Sequence, residues 1–171
     1  MLNRFAHYLD RLIAGWALAG GLTLLVIVLI TAVNAGGFIA DRVAGLAGGS
    51  VSGLPGYEDA VTVLVGMAVL ALFPYCQRQG GHITVDSFSR LLPRWWRRVI
   101  DPFAAILTSA VALALGIMMV FGLFELRADG ALTPVLGWPV WPFLIPAVLS
   151  CLLWAIAALM PRVREHEERA D

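Results

Sequence analysis

The chain has 171 residues, 60% of them hydrophobic and 14% charged, and a mean hydropathy of +0.82; a soluble domain is about 45–50% apolar and about 25% charged. Twelve arginines offset twelve acidic residues and lysine is absent. The composition excludes a water-soluble core, and the neutral balance gives no footing for nucleic acid as a partner.

Arg4 and Arg11 precede a first apolar stretch, 12–33. It is too long for the h-region of a signal peptide, about 7–15 residues, so it is read as an uncleaved first span despite the small-residue pattern Val33-Asn34-Ala35. A loop rich in Gly, Ala and Ser follows, in which Phe38, Ile39, Val43 and Leu46 suggest one short interfacial helix. Glu58 and Asp59 open the second stretch, 60–76, which carries Pro74 in its last turn. Acids there suit the positive end of a helix dipole, or else offer a contact to an arginine or a partner.

Beyond the second stretch, segment 83–100 is amphipathic. Val85, Phe88, Leu92, Trp95, Trp96 and Val99 recur at helical spacing, with Asp86, Arg90, Arg94, Arg97 and Arg98 on the remaining face and Pro93 between two pieces. Such a segment lies in the plane of a leaflet, its tryptophans in the interface and its arginines drawn to anionic membrane lipids; a snorkelling linker is the alternative. The third and fourth stretches are 103–124 and 140–160, and a mixed-charge tail, 161–171, ends the chain. All four stretches lack Asp, Glu, Lys and Arg, and a spanning helix needs about 20 such residues, with a range of about 17–25. Lipid offers the backbone no hydrogen bonds, so each must be helical. The prediction is an all-α polytopic membrane protein, one domain of four transmembrane helices with short interfacial amphipathic helices.

Orientation follows from the arginines. Arg4, Arg11, Arg78, Arg90, Arg94, Arg97, Arg98, Arg162, Arg164 and Arg169 fall on one side of the four spans, and only Arg42 and Arg127 on the other. Ten against two puts both ends and the second loop in the cytoplasm. Trp16, Trp95 and Trp96 then belong to the inner aromatic belt and Tyr57, Trp138 and Trp141 to the outer one.

Chemistry at depth is missing from the sequence. Ion sites, proton relays and substrate counter-charges need ionisable residues inside the spans, and none is there. His7, His82 and His166 lie outside the spans, so no axial haem pair forms, and no metal-ligand spacing, phosphate loop or catalytic grouping is present. No cofactor is expected. Cys76 and Cys151 read as free thiols in apolar surroundings. Small residues, Ala17 and Gly21 in the first span and Ala110, Ala112, Ala114 and Gly116 in the third, permit close helix packing, within the chain or against a partner. The pattern suits a structural membrane subunit rather than a catalyst.

One segment is more specific. Arg78-Gln79-Gly80-Gly81-His82-Ile83-Thr84-Val85-Asp86 leaves the second span through two glycines, with His82 and Asp86 on one face of the helix that follows. Together with Glu58 at the other end of that span, Leu92-Pro93, the basic stretch after it and four spans of this spacing, it resembles the DctQ-like small permease subunit of tripartite ATP-independent periplasmic (TRAP) transporters. The resemblance implies two partners, a large multi-span permease subunit carrying the sodium and substrate sites and a periplasmic substrate-binding protein. It implies import of an organic acid, such as a C4-dicarboxylate, keto acid or sialic acid, and location in the bacterial inner membrane. It also implies that Glu58, Arg78, His82 and Asp86 are structural or subunit-contact positions. The family's arginine after the first span has only Arg42 as a counterpart here. The rival reading is a membrane anchor for a redox or other enzyme complex; a small independent exporter is disfavoured by the missing intramembrane acid.

Overall fold

A computed structural model describes residues 2–50, 52–80 and 94–160, with side chains from residue 6 onward in the first helix and from residue 99 onward in the third. Among them, helix α1 runs Leu2–Leu46, α2 Tyr57–Arg78, α3 Arg94–Ala128 and α4 Leu144–Leu159, the last entered through a 3-10 turn at Trp141–Phe143. All four are long and apolar enough to cross a membrane, α4 together with its 3-10 turn. The architecture is therefore all-helical and polytopic.

The C-terminal ends of α1 and α3 are set by glycine. After Leu46, Gly48 takes a left-handed φ of 76° and the Gly49 N–H closes on the Ala44 carbonyl at 2.8 Å. After Ala128, Gly130 does the same at 62°, and the Ala131 N–H bonds to the Leu126 carbonyl at 3.1 Å. Both are the wrapped C-terminal turn that satisfies carbonyls left over by the last helical turn. Within α1, the Thr23 and Thr31 hydroxyls donate to the carbonyls of Ala19 and Ile27 at 2.9 and 2.8 Å, so neither reaches lipid unsatisfied.

The extents differ from the sequence expectation in two places. The interfacial helix suggested at Phe38–Leu46 is not separate; those residues continue α1 without a break. The segment 83–100 divides: 83–93 lie outside the described residues, while the backbone of 94–100 is the start of α3 and runs through Pro102 into the third span. The tail 161–171 also lies outside the described residues. Charge-free length registers bilayer thickness, whereas a helix stops only where its capping chemistry stops it.

Packing along the helix lengths joins α1 to α2, α2 to α4, and α4 to α3, so the last helix of the chain is wedged between the second and third. Small residues bring the backbones together. A Cβ added at Gly20 of α1 would lie 2.8 Å from the Ala71 Cβ and 2.9 Å from the Ala68 carbonyl oxygen of α2. On α3, Ser109, Ala112 and Gly116 form a narrow buried stripe, and a Cβ on Gly116 would lie 3.2 Å from that of Cys151 in α4. Ala110 and Ala114 face outward, and Gly21 meets open space. The outer surfaces of α1 and α3 are apolar and exposed, from Leu18, Leu22 and Leu25 to Ile117, Met118 and Phe121, as a lipid-facing surface requires.

Candidate functional site

Polar side chains concentrate at the two ends of the bundle. At one end Arg78, the last residue of α2, reaches Asp10 of α1. Its Nε donates to Oδ1 at 2.7 Å and its Nη2 to Oδ2 at 3.0 Å. The Arg78 side chain is 6% exposed and that of Asp10 34%. A two-pronged guanidinium–carboxylate contact fixes direction as well as distance, so it sets the height of α1 against α2. The sequence points to Arg78 but gives Asp10 no role; one acid among the arginines before a span is not a signal by itself.

At the opposite end Asp59 is buried in the first turn of α2. Its Oδ2 accepts the backbone N–H groups of Val135 at 2.7 Å and Leu136 at 2.8 Å. Those residues form the tip of the turn between α3 and α4. Thr133 and Trp138 close its base: the Thr133 N–H donates to the Trp138 carbonyl at 2.8 Å and the Trp138 N–H to the Thr133 Oγ1 at 3.0 Å. Gly56, at φ 78°, lets α2 begin beneath this turn, since a Cβ there would come within 2.7 Å of Leu136. Beside it the Asn34 side chain of α1 accepts the Leu54 N–H at 3.0 Å. Two loops and two helices are thus tied by side-chain oxygens that accept backbone donors.

Between the ends, the Trp16 indole donates to the Ser150 hydroxyl at 2.8 Å, and that hydroxyl donates to the Pro146 carbonyl at 2.8 Å. Trp16 therefore sits against α4. Trp154 packs edge-on to Phe73 at 5.0 Å.

The remaining sequence-derived positions are scattered. Glu58 is exposed, one residue from the buried Asp59. Trp138 stacks on Phe143 at 6.2 Å, and Arg127 lies 5.0 Å above the Trp141 ring, a cation–π contact across the α3–α4 turn. Arg42 is exposed near the end of α1. His82 and Asp86 lie outside the described residues, as do the side chains of Arg94, Trp95, Trp96, Arg97 and Arg98. Among the described residues no three His, Cys, Asp or Glu side chains converge as metal ligands, and both cysteines are free.

Asp10, Arg78, Asp59, Asn34, Trp16 and Ser150 are thus engaged in holding the bundle's own helices and turns, whereas the buried Trp154 Nε1 has no hydrogen-bond partner among the described residues. Against known proteins, residues 50–166 match the family model described as "Tripartite ATP-independent periplasmic transporters, DctQ component". No curated protein and no solved structure matches the chain. The matched residues contain α2, α3 and α4, with the Asp59 clasp and Arg78, and they amount to more than half of the sequence. This chain belongs to the DctQ family of TRAP transporters: it is the small permease subunit, a multi-pass inner-membrane component of a transporter and not an enzyme.

Proposed function

We propose that this subunit is the scaffold of a sodium-coupled importer of an organic acid, such as a C4-dicarboxylate, keto acid or sialic acid. It braces a large multi-span permease that carries the ion and substrate sites and receives solute from a periplasmic binding protein. Both chain ends face the cytoplasm, as the arginine distribution requires. The observation that carries the scaffold role is the absence of Asp, Glu, Lys, Arg and His from 12–33, 60–76, 103–124 and 140–160, combined with the half-buried Asp10 and the buried Asp59 at the bundle ends, both already committed to internal partners. A charged solute finds no counter-charge at depth in such a chain.

The contact positions proposed for the large subunit are Glu58 on the outer side and Arg78, His82 and Asp86 on the inner side. Arg94, Trp95, Trp96, Arg97 and Arg98 anchor the inner interface, and Trp138 and Trp141 the outer one. Reconstitution tests the reading. Liposomes with this subunit alone are expected to take up no labelled organic acid. Liposomes with both membrane subunits, supplied with binding protein and a sodium gradient, are expected to accumulate it. Uptake by this subunit alone, or full uptake by the large subunit alone, overturns the assignment.

A further inference from the structure

The connector between α3 and α4 is built almost without exposed polar groups. No Asp, Glu, Lys or Arg occurs from 130 to 161. Thr133 carries the one side-chain hydroxyl from 131 to 140 and is buried, whereas Leu132 is 61% exposed, Val135 63% and Trp138 42%. Its backbone is as closed as its side chains are apolar. The Thr133 N–H goes to the Trp138 carbonyl, those of Gly137 and Val140 to the carbonyls of Thr133 and Ala131 at 3.1 Å each, and that of Trp138 to the Thr133 hydroxyl. Asp59 takes the two at the tip, from Val135 and Leu136, and Pro134 and Pro139 have none to offer. A turn surrounded by water has no need of such closure, because water satisfies its donors; a turn among lipids does.

The height of the connector is fixed by the same carboxylate. Arg78 with Asp10 marks one boundary of the hydrocarbon, and α2 runs unbroken from Asp59 to Arg78. At about 1.5 Å per residue that length of helix rises about 28 Å, against a hydrocarbon thickness of about 30 Å. Asp59 therefore stands at the opposite boundary, and the connector tip, bonded to it at 2.7 and 2.8 Å, stands there too. We propose that the connector is an interfacial wedge whose ligand is the phospholipid of that leaflet, with Leu132, Val135 and Trp138 among the upper acyl chains and Asp59 holding them at that depth.

The surroundings favour lipid as the occupant. The connector continues, along the chain, the exposed apolar surface of α3, which ends with Phe121 at 70% and Phe124 at 61%. Arg127 lies between that surface and the connector, exposed and 5.0 Å above the Trp141 ring, where its charge meets lipid phosphates. Trp138, stacked on Phe143, lies with Trp141 at the same level, as an aromatic belt requires. A soluble protein would have to reach down to the hydrocarbon boundary to touch Val135, because Asp59 keeps the tip from rising. The wedge deepens the outer anchor proposed for Trp138 and rests on that reading; it needs neither the solute nor the ion of the transporter.

Spin labels on single cysteines measure the depth. Leu132→Cys, Val135→Cys and Trp138→Cys probe the wedge, and Ser52→Cys, at an exposed serine of the α1–α2 connector, is the aqueous reference; Cys76→Ala and Cys151→Ala remove the native thiols. None of these changes removes a backbone donor of the connector. The labelled full chain is placed in vesicles of phosphatidylethanolamine and phosphatidylglycerol, alone and together with the large subunit. In both, labels at 132, 135 and 138 are expected to collide more with lipid-soluble oxygen than with a water-soluble nickel chelate, and the label at 52 the reverse. Adding Asp59→Ala is expected to shift the label at 135 from oxygen towards nickel, and unchanged depth there overturns the role of Asp59. With Asp59 intact, nickel-dominated collision at 132 and 135 overturns the wedge; if 138 alone then stays oxygen-dominated, the outer anchor stands without it. Shielding from both reagents once the large subunit is added shows protein on the turn and overturns the proposal as well. Because the readout is depth and not uptake, its failure leaves the scaffold role standing.

Discussion

The residue with the most structural consequence is Arg78. It is nearly buried and grips Asp10 with two nitrogens. Removing one partner of a fully buried pair costs about 3–5 kcal/mol; with a third of the Asp10 side chain exposed, Arg78→Ala is expected to cost about 1–2 kcal/mol. Arg78→Lys keeps the charge and loses the fork, and should recover only part of that. The double exchange Asp10→Arg with Arg78→Asp should be more stable than either single change. Detergent-micelle unfolding by dodecyl sulfate, followed by helical circular dichroism, measures each of these variants against the unaltered chain. The sequence marks Arg78 but not Asp10, because their separation of 68 residues carries no local pattern. Glu58 and Asp59 show the same limit: two adjacent acids at a helix start are equivalent on paper, and the α3–α4 turn selects Asp59.

For the helices as elements, the decisive contrast lies between two neighbouring glycines of α1. Gly20 faces Ala68 and Ala71 at sub-van der Waals range for any added Cβ, whereas Gly21 faces nothing within 4 Å. Gly20→Ala is therefore expected to destabilise the chain by about 1–3 kcal/mol through overpacking. Gly21→Ala is expected to be neutral or stabilising by up to about 1 kcal/mol, the helix-propensity difference. Thermal unfolding of the purified variants reads the difference, and equal effects would mean that α1 does not pack on α2 as described. That four helices exist was legible in the charge-free windows. Which glycine touches a neighbour was not, since 17 and 21 share the small-residue spacing as well as 17 and 20 share the face. The length of α1 was hidden for a related reason: a run of Ala and Gly after Asn34 resembles a loop in composition, yet Gly48 is the residue that adopts the left-handed turn.

At the scale of the molecule, the family match and the four spans agree with the sequence reading, and the inner-face segment remains the place where lipid and partner are expected to meet. If its tryptophans and arginines anchor the complex, replacing Trp95 and Trp96 with Ala and Arg97 and Arg98 with Glu should lower the yield of small and large subunit co-purified from membranes. Unchanged yield would leave the segment a passive connection. Helix order has a further consequence for how the protein is made. The chain emerges as α1, α2, α3, α4 but packs as α1, α2, α4, α3. During synthesis, therefore, α2 and α3 enter the bilayer as non-neighbours, with the small-residue stripe of Ser109, Ala112 and Gly116 turned to lipid until the final span inserts between them. Biogenesis ends with a wedge driven home: until residues 144–159 are translated, α2 and α3 lack the helix that packs against both, and the last helix made is the one that completes the bundle.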